Sequence, residues 1–267
     1  TSNLEDESMK HSVYFALLTI VLLSACGRSP LASPTSTPPA TQTPQPTASQ
    51  TPSPTSTSTP TATPDITATA ASNATVAADE VLSDLDKVLG DSGIPYQDGH
   101  LAWKQDEPLN IKMTGPDQGY LAIAEDLTAG DFILKSDVTW DATGLMVCGA
   151  IFRSEPDLDQ GKQYQFMFLR FSGLPAWAVE VHEFGQFRNS PTKTKFSDAL
   201  DLGNGATNEF ILAVEDDHFT LYLNKARQGT YYDYSKQRAD GSFGFLGAQQ
   251  SGDGNCKFEN SWIWVLE

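Results

Sequence analysis

The chain of 267 residues carries 34 acidic and 17 basic side chains, a formal net charge of −17 at pH 7. Such a surface repels phosphate backbones and anionic head groups, which argues against nucleic acid as a partner. With a tail and linker set aside, what remains is one domain of ordinary size.

Residues 1–8 (TSNLEDES) precede a plausible initiator, Met9, and are left out of the fold reasoning. Met9-Lys10-His11 leads into an apolar run from Ser12 to Leu23. A short basic start and an apolar core of about a dozen residues is the pattern of a secretory signal. It is short for a spanning helix, which needs roughly 20 apolar residues. Leu23-Ser24-Ala25-Cys26 then resembles the lipobox of bacterial lipoproteins. The resemblance implies that the Cys26 thiol receives a diacylglycerol and that the chain is cut just before it. Acylation of the new amine would complete an anchor of two or three acyl chains, where one would be marginal. The expected partner at this end is membrane lipid. The expected location is the cell envelope, with the folded part facing away from the cytoplasm. Residues 1–26 are read as signal peptide and lipobox.

Residues 27–72 are almost entirely Pro, Thr, Ser, Ala and Gln, without an aromatic. No core can form there to offset chain entropy, so the segment is read as a disordered stalk. Its prolines bias it to polyproline II, at about 3.1 Å per residue.

Residues 73–98 begin with Val81, Leu82, Leu85, Val88 and Leu89 at helical spacing, stopped by Gly90 and Gly93. This predicts one short amphipathic helix and a lead-in. From residue 99 the period becomes two. Candidate strands are Leu109–Met113, Tyr120–Glu125, Asp131–Trp140, Leu145–Arg153, Gln163–Phe171, Trp177–Phe184, Glu209–Glu215, Phe219–Asn224, Gly229–Tyr232, Ser242–Ala248 and Cys256–Leu266. Turn signals such as Asp141-Ala142-Thr143-Gly144, Ser172-Gly173 and Asp240-Gly241 separate them, and Glu215-Asp216-Asp217 reads as a hairpin tip. Many short strands and almost no helix predict an all-β domain, with two antiparallel sheets closed on each other over residues 99–267.

The motifs DFILKSDVTW, CGAIFR, YQFMF, NEFILAVEDDHFTLYLN, GSFGF and CKFENSWIWVL follow one another in that order. The ordered set resembles the concanavalin A-like lectin/glucanase jelly roll, in its laminin-G-like branch. The resemblance covers residues 100–267 and concerns fold more than chemistry. It also implies that Cys148 and Cys256 are bridged, as cysteines at these places often are in the resembling lipoproteins. On the residues alone, two separate buried thiols remain open.

Alternation assigns faces to the two central strands. Tyr164, Phe166, Phe168, Trp177, Val179 and Val181 belong to the core. Gln165, Glu180 and His182 belong to an open, polar surface. Sugar recognition needs such groups for hydroxyls and an aromatic plate for the ring face. Tyr231, Tyr232 and Tyr234 are candidates for the plate, with Tyr232 foremost, while Trp262 and Trp264 read as core. Arg153 is expected to pair with an acid. Glucanases of this fold carry carboxylates at alternating positions, in the form E-x-D-x-x-E. Glu180-Val181-His182-Glu183 lacks the second carboxylate on the same face, so no catalytic residue is assigned. Asp157-Leu158-Asp159-Gln160-Gly161 is a poor calcium loop, and no metal or cofactor is expected. The function expected is a surface binding or adhesion module for glycan. A glycoside hydrolase on the same fold and a structural envelope domain are the alternatives.

Overall fold

The computed structural model describes residues 66–142, 144–171 and 173–267. Cys26, the lipobox and the stalk up to residue 65 lie outside the described residues. Among the described residues a helix, α1 (Ile66–Leu89), comes first and starts inside the stretch read as stalk. A 3-10 turn (Tyr96–Asp98) leads to fourteen strands: β1 (His100–Lys104), β2 (Leu109–Thr114), β3 (Asp117–Ile123), β4 (Phe132–Ala142), β5 (Met146–Ser154), β6 (Gln163–Phe171), β7 (Leu174–Glu183), β8 (Gln186–Asn189), β9 (Lys195–Phe196), β10 (Thr207–Glu215), β11 (His218–Leu223), β12 (Ala226–Tyr232), β13 (Ser242–Gln249) and β14 (Asp253–Val265).

The strands form two seven-stranded antiparallel sheets. The first has the order β1-β14-β4-β10-β11-β12, with β2 also on β14. The second has the order β3-β13-β5-β6-β7-β8, with β9 also on β7. The chain steps between the sheets at β2–β3, β3–β4, β4–β5, β9–β10, β12–β13 and β13–β14, so each sheet is built from distant segments. The result is the expected two-layer jelly-roll sandwich.

Its core lies between the layers, where the period-two pattern sends the large rings. Phe132 packs edge-on against Phe152 and Phe243 at 5.7 and 4.8 Å, and Phe245 stacks on Phe258 at 4.1 Å. Each such ring contributes about 1.5–3 kcal/mol through burial. Cys148 on β5 and Cys256 on β14 form a disulfide, with Cα atoms 5.8 Å apart, that ties one sheet to the other. Gly149, next to Cys148, lies so close to β6 that a Cβ there would come within 1.9 Å of the Phe166 carbonyl oxygen.

Helix α1 covers the outer side of the first sheet. Val81, Leu85 and Leu89, four residues apart, bury against Ile133, Ile211, Tyr222, Trp262 and Trp264. The two tryptophans are buried as expected, but under the helix rather than between the sheets. The Trp264 indole donates to the Tyr96 carbonyl at 2.9 Å, and the Tyr96 hydroxyl donates to Asp86 at 2.8 Å. The helix stops at Gly90, where a Cβ would meet the Asp86 carbonyl oxygen at 2.7 Å. No helix among the described residues is long and apolar enough to cross a membrane.

Candidate functional site

Among the described residues, no helix covers the outer side of the second sheet. Its middle strands are β5, β6 and β7, whose registers place Ile151 beside Gln165 and Gln165 beside Glu180. One step toward the strand ends, Gln163 lies beside His182. One step the other way, Gly149, Met167 and Ala178 form a row, followed by Val147, Leu169 and Ala176. The same rows continue onto β13 and β3 as Gly244-Ala122 and Leu246-Tyr120. Alternation therefore assigned the face of Gln165, Glu180 and His182 correctly, and the structure brings the three together.

Their exposure departs from the sequence reading. Gln165 is 1% exposed, Glu180 8% and His182 3%, so this is not an open solvated surface. The cover comes from three places in the chain. Tyr120, on the edge strand β3, lies with its phenol beside Gln165 and is itself hydrogen-bonded by Gln118. Phe187, opposite His182 in the β7–β8 register, sets its ring edge-on to the imidazole at 6.2 Å. The β5–β6 connection, residues 155–162, folds back over the end of the face. There Leu158 joins the outward cluster of Ile151, Met167 and Leu246.

Within this enclosure the polar groups are incompletely paired. His182 Nε2 and Glu180 Oε2 are 2.9 Å apart, which fixes one carboxylate oxygen and one imidazole nitrogen. The other imidazole nitrogen, Nδ1, is buried without a partner. Gln165 Nε2 is likewise buried and makes no well-angled hydrogen bond, although the Tyr120 oxygen is near. An unmet buried donor or acceptor costs about 1–3 kcal/mol, so two side by side on one face call for an explanation. Burial pushes the Tyr120 phenol up to about 12, so it stays protonated at physiological pH and offers a hydroxyl. Phe187 is 37% exposed and leaves part of its ring to solvent next to these groups.

Tyr232 does not belong to this group. It lies at the end of β12 in the first sheet, edge-on to His218 at 5.0 Å and tilted against Tyr234 at 4.5 Å. Tyr231 turns inward, with its ring 5.3 Å from that of Trp177. The aromatic ring beside His182 is that of Phe187, not one of these tyrosines. No sequence pattern marked Phe187, because the all-exposed β8 has no alternation to reveal which face it serves.

Other residues singled out by the sequence have structural employment. Arg153 is buried, pairs with Asp131 at 3.3 Å, and donates to the carbonyls of Gly130 and Asp216 at 2.9 and 2.6 Å. Glu183 pairs with Arg188 at 3.3 Å. The Asp157 carboxylate accepts from the backbone N–H groups of Asp159 and Gln160 at 3.0 Å, as a turn cap. Among the described residues no group of three His, Cys, Asp or Glu side chains is placed to hold a metal ion.

No family model matches the chain, and no curated protein matches it. Among solved structures it is similar to the carbohydrate-binding module CBM66 from Bacillus subtilis. That likeness has 18% identity over 57% of this chain and 84% of that one, with a TM-score of 0.44. It is similar to sheep galectin-11 in complex with glycerol at 8% identity, over 57% of this chain and 98% of that one, with a TM-score of 0.38. It is similar to Bacillus licheniformis β-glucanase at 10% identity, over 60% of this chain and 79% of that one, with a TM-score of 0.39. The site itself is defined by this chain's own side chains.

Proposed function

We propose that the domain binds carbohydrate on the outer side of its second sheet, through Gln165, Glu180, His182 and Phe187. The observation that supports this most is the pair of buried, unpartnered polar atoms, Gln165 Nε2 and His182 Nδ1, beside a partly exposed aromatic ring. A sugar ring answers both needs. Its hydroxyls donate and accept, so they can meet an amide donor and either tautomer of an imidazole. Its C–H face packs on an aromatic face. The Tyr120 hydroxyl beside Gln165 offers a further bond to a sugar oxygen. Lipid on Cys26 would hold this domain at the outer side of a membrane, with residues 27–65 as a tether; the lipobox sequence supports that part of the proposal.

A glycan array tests the binding. The wild-type chain is expected to retain a limited set of sugars. Gln165→Leu keeps the size of the side chain and removes the unpartnered amide. It should fold at least as well as the parent and bind those sugars about 10-fold more weakly, the loss of one well-placed hydrogen bond. A wild-type protein that retains no sugar contradicts the proposal.

A further inference from the structure

We propose that a second carbohydrate site lies on the outer side of the first sheet, in the trough that α1 leaves open over β11 and β12. Its own residues carry it, independently of Gln165 and His182. The helix packs with Trp262 and Trp264 of β14, Ile133 of β4 and Ile211 and Ala213 of β10, and meets β11 at Tyr222 alone. No residue of β12 belongs to that contact. Past Leu89 the chain turns: the Ser92 N–H donates to the Leu89 carbonyl at 2.8 Å, and the Ile94 N–H to the Ser92 hydroxyl at 3.2 Å. This turn walls the trough on one side. Ser92 borders two adjoining hollows, of about 210 and 670 Å³. The smaller has the volume of roughly seven waters at about 30 Å³ each, which is room for a single sugar ring.

Strand register builds the floor. Glu215, His218 and Tyr232 form one row across β10, β11 and β12. Ala213, Thr220 and Thr230 form the next, and Ile211, Tyr222 and Arg227 the third. Phe219 and Leu221, between these rows on β11, point into the inter-sheet core. Rows two residues apart are about 6.8 Å apart, so the floor is roughly 14 Å long. The smaller hollow lies over the first two rows, with Glu215, His218, Thr220 and Thr230 facing it. The larger lies over the third, with Tyr222 and Arg227 facing Asp86 and Asp91.

These side chains offer both donors and acceptors. Among the described residues, the Glu215 carboxylate and the ring nitrogens of His218 have no hydrogen-bond or ion-pair partner. The Thr220 and Thr230 hydroxyls are 2.7 Å apart, and Arg227 donates to that of Thr230 at 2.8 Å. A hydroxyl pair shares one hydrogen between its oxygens, so its other hydrogen is left for a ligand. At the end of the first row, the Tyr234 ring is tilted against Tyr232 at 4.5 Å and the residue is 87% exposed. So bare a ring gains little from burial in the fold and presents a flat apolar plate. Glu215, Asp86 and Asp91 oppose an anion, while Arg227 and Lys87 oppose a bare cation. A neutral ring with hydroxyls at its edge and C–H groups on its face meets every one of these features. The trough and the Gln165 site lie on opposite outer sides of the sandwich, so one domain can hold two glycan chains at once. That divalence rests on the carbohydrate reading above; the second site does not.

The test runs the glycan array on the full chain as wild type, as Gln165→Leu, and as the double variant Thr220→Val with Tyr234→Ala. Each retained sugar is then titrated, as a short soluble fragment, into all three. Valine keeps the shape of Thr220 and Tyr234 is bare, so an unchanged Tm should show the double variant folded. The wild type should bind at two sites per chain. Each variant should weaken one of them about 10-fold and leave the other at its wild-type affinity. Binding that Gln165→Leu weakens and the double variant leaves unchanged overturns the second site alone. Binding that the double variant weakens and Gln165→Leu leaves unchanged overturns the Gln165 site and the divalence, and the trough stands. A wild type that retains no sugar, or sugars that neither variant weakens, overturns both sites.

Discussion

Arg153 shows how a single side chain can hold several loops. Its guanidinium is 3% exposed and gathers the carbonyls of Gly130 and Asp216 with the carboxylate of Asp131. Burial lowers its pKa from the usual arginine value, while Asp131 opposes that shift. Replacing it with alanine removes these part-buried bonds, so Arg153→Ala should destabilise by about 1–3 kcal/mol, read as a drop in Tm. Two phenols give a second residue-scale prediction. Burial is the first cause that raises Tyr120 and Tyr164 to about 12, and the hydrogen bond from Tyr164 to Asp233 adds to it for the latter. Both are acids whose protonated form is favoured in the fold. The stability they contribute is complete below their unfolded value of 10.0 and is lost as pH rises through about 12. Denaturant midpoints measured from pH 9 to 12 should fall across the upper part of that range. A tyrosinate absorbance titration should show a late-ionising fraction that vanishes in denaturant. At this scale the sequence told which face Gln165, Glu180 and His182 occupy, since alternation is local. It did not tell that they are buried, since their cover comes from Tyr120, Phe187 and Leu158, which reach them only through the fold.

At the scale of elements, α1 and β14 carry the lesson together. The spacing of Val81, Leu85 and Leu89 identified a helix and its buried stripe, and the glycines after it marked its end. The surface it meets was hidden, because β14 changes phase part-way. Cys256 and Phe258 face the inter-sheet core; then the register shifts between Glu259 and Trp262, with Asn260 at a φ of 51°, and Ile263 takes the inward place. That bulge turns Trp262 and Trp264 outward, where α1 buries them. Strict alternation has no means to foresee such a reset. Leu85 is fully buried at the centre of this contact. Leu85→Ala should therefore cost about 2–5 kcal/mol, measurable by urea unfolding, without loss of sugar binding at the far sheet. Of the strands, β1, β8 and β9 escaped the sequence reading for physical reasons: β1 is half-buried without alternation, β8 is exposed at all four positions, and β9 is only two residues long.

For the molecule as a whole, the sandwich was legible because strand periodicity and turn residues extend over the entire C-terminal part. The order of strands within each sheet was not legible, since it pairs segments distant in the chain. The disulfide connects residues 108 apart and joins β5 of one sheet to β14 of the other. Closing so long a loop stabilises by about 4–5 kcal/mol in the chain-entropy account, so Cys148→Ser with Cys256→Ser should lower stability by up to that amount. A reducing agent should lower the Tm of the parent and leave the double variant unchanged. The helix claims one outer side of the sandwich and leaves the other to Gln165, Glu180 and His182, and this division of faces is what the functional account depends on. The most direct measurement is an NMR titration of the protein with a sugar that it retains. The account predicts that the Gln165 side-chain amide and the His182 ring resonances move first, together with backbone amides of β6, β7 and β8. Shifts gathered instead around α1, or at Tyr232 and Tyr234, with Gln165 and His182 unmoved, would contradict it.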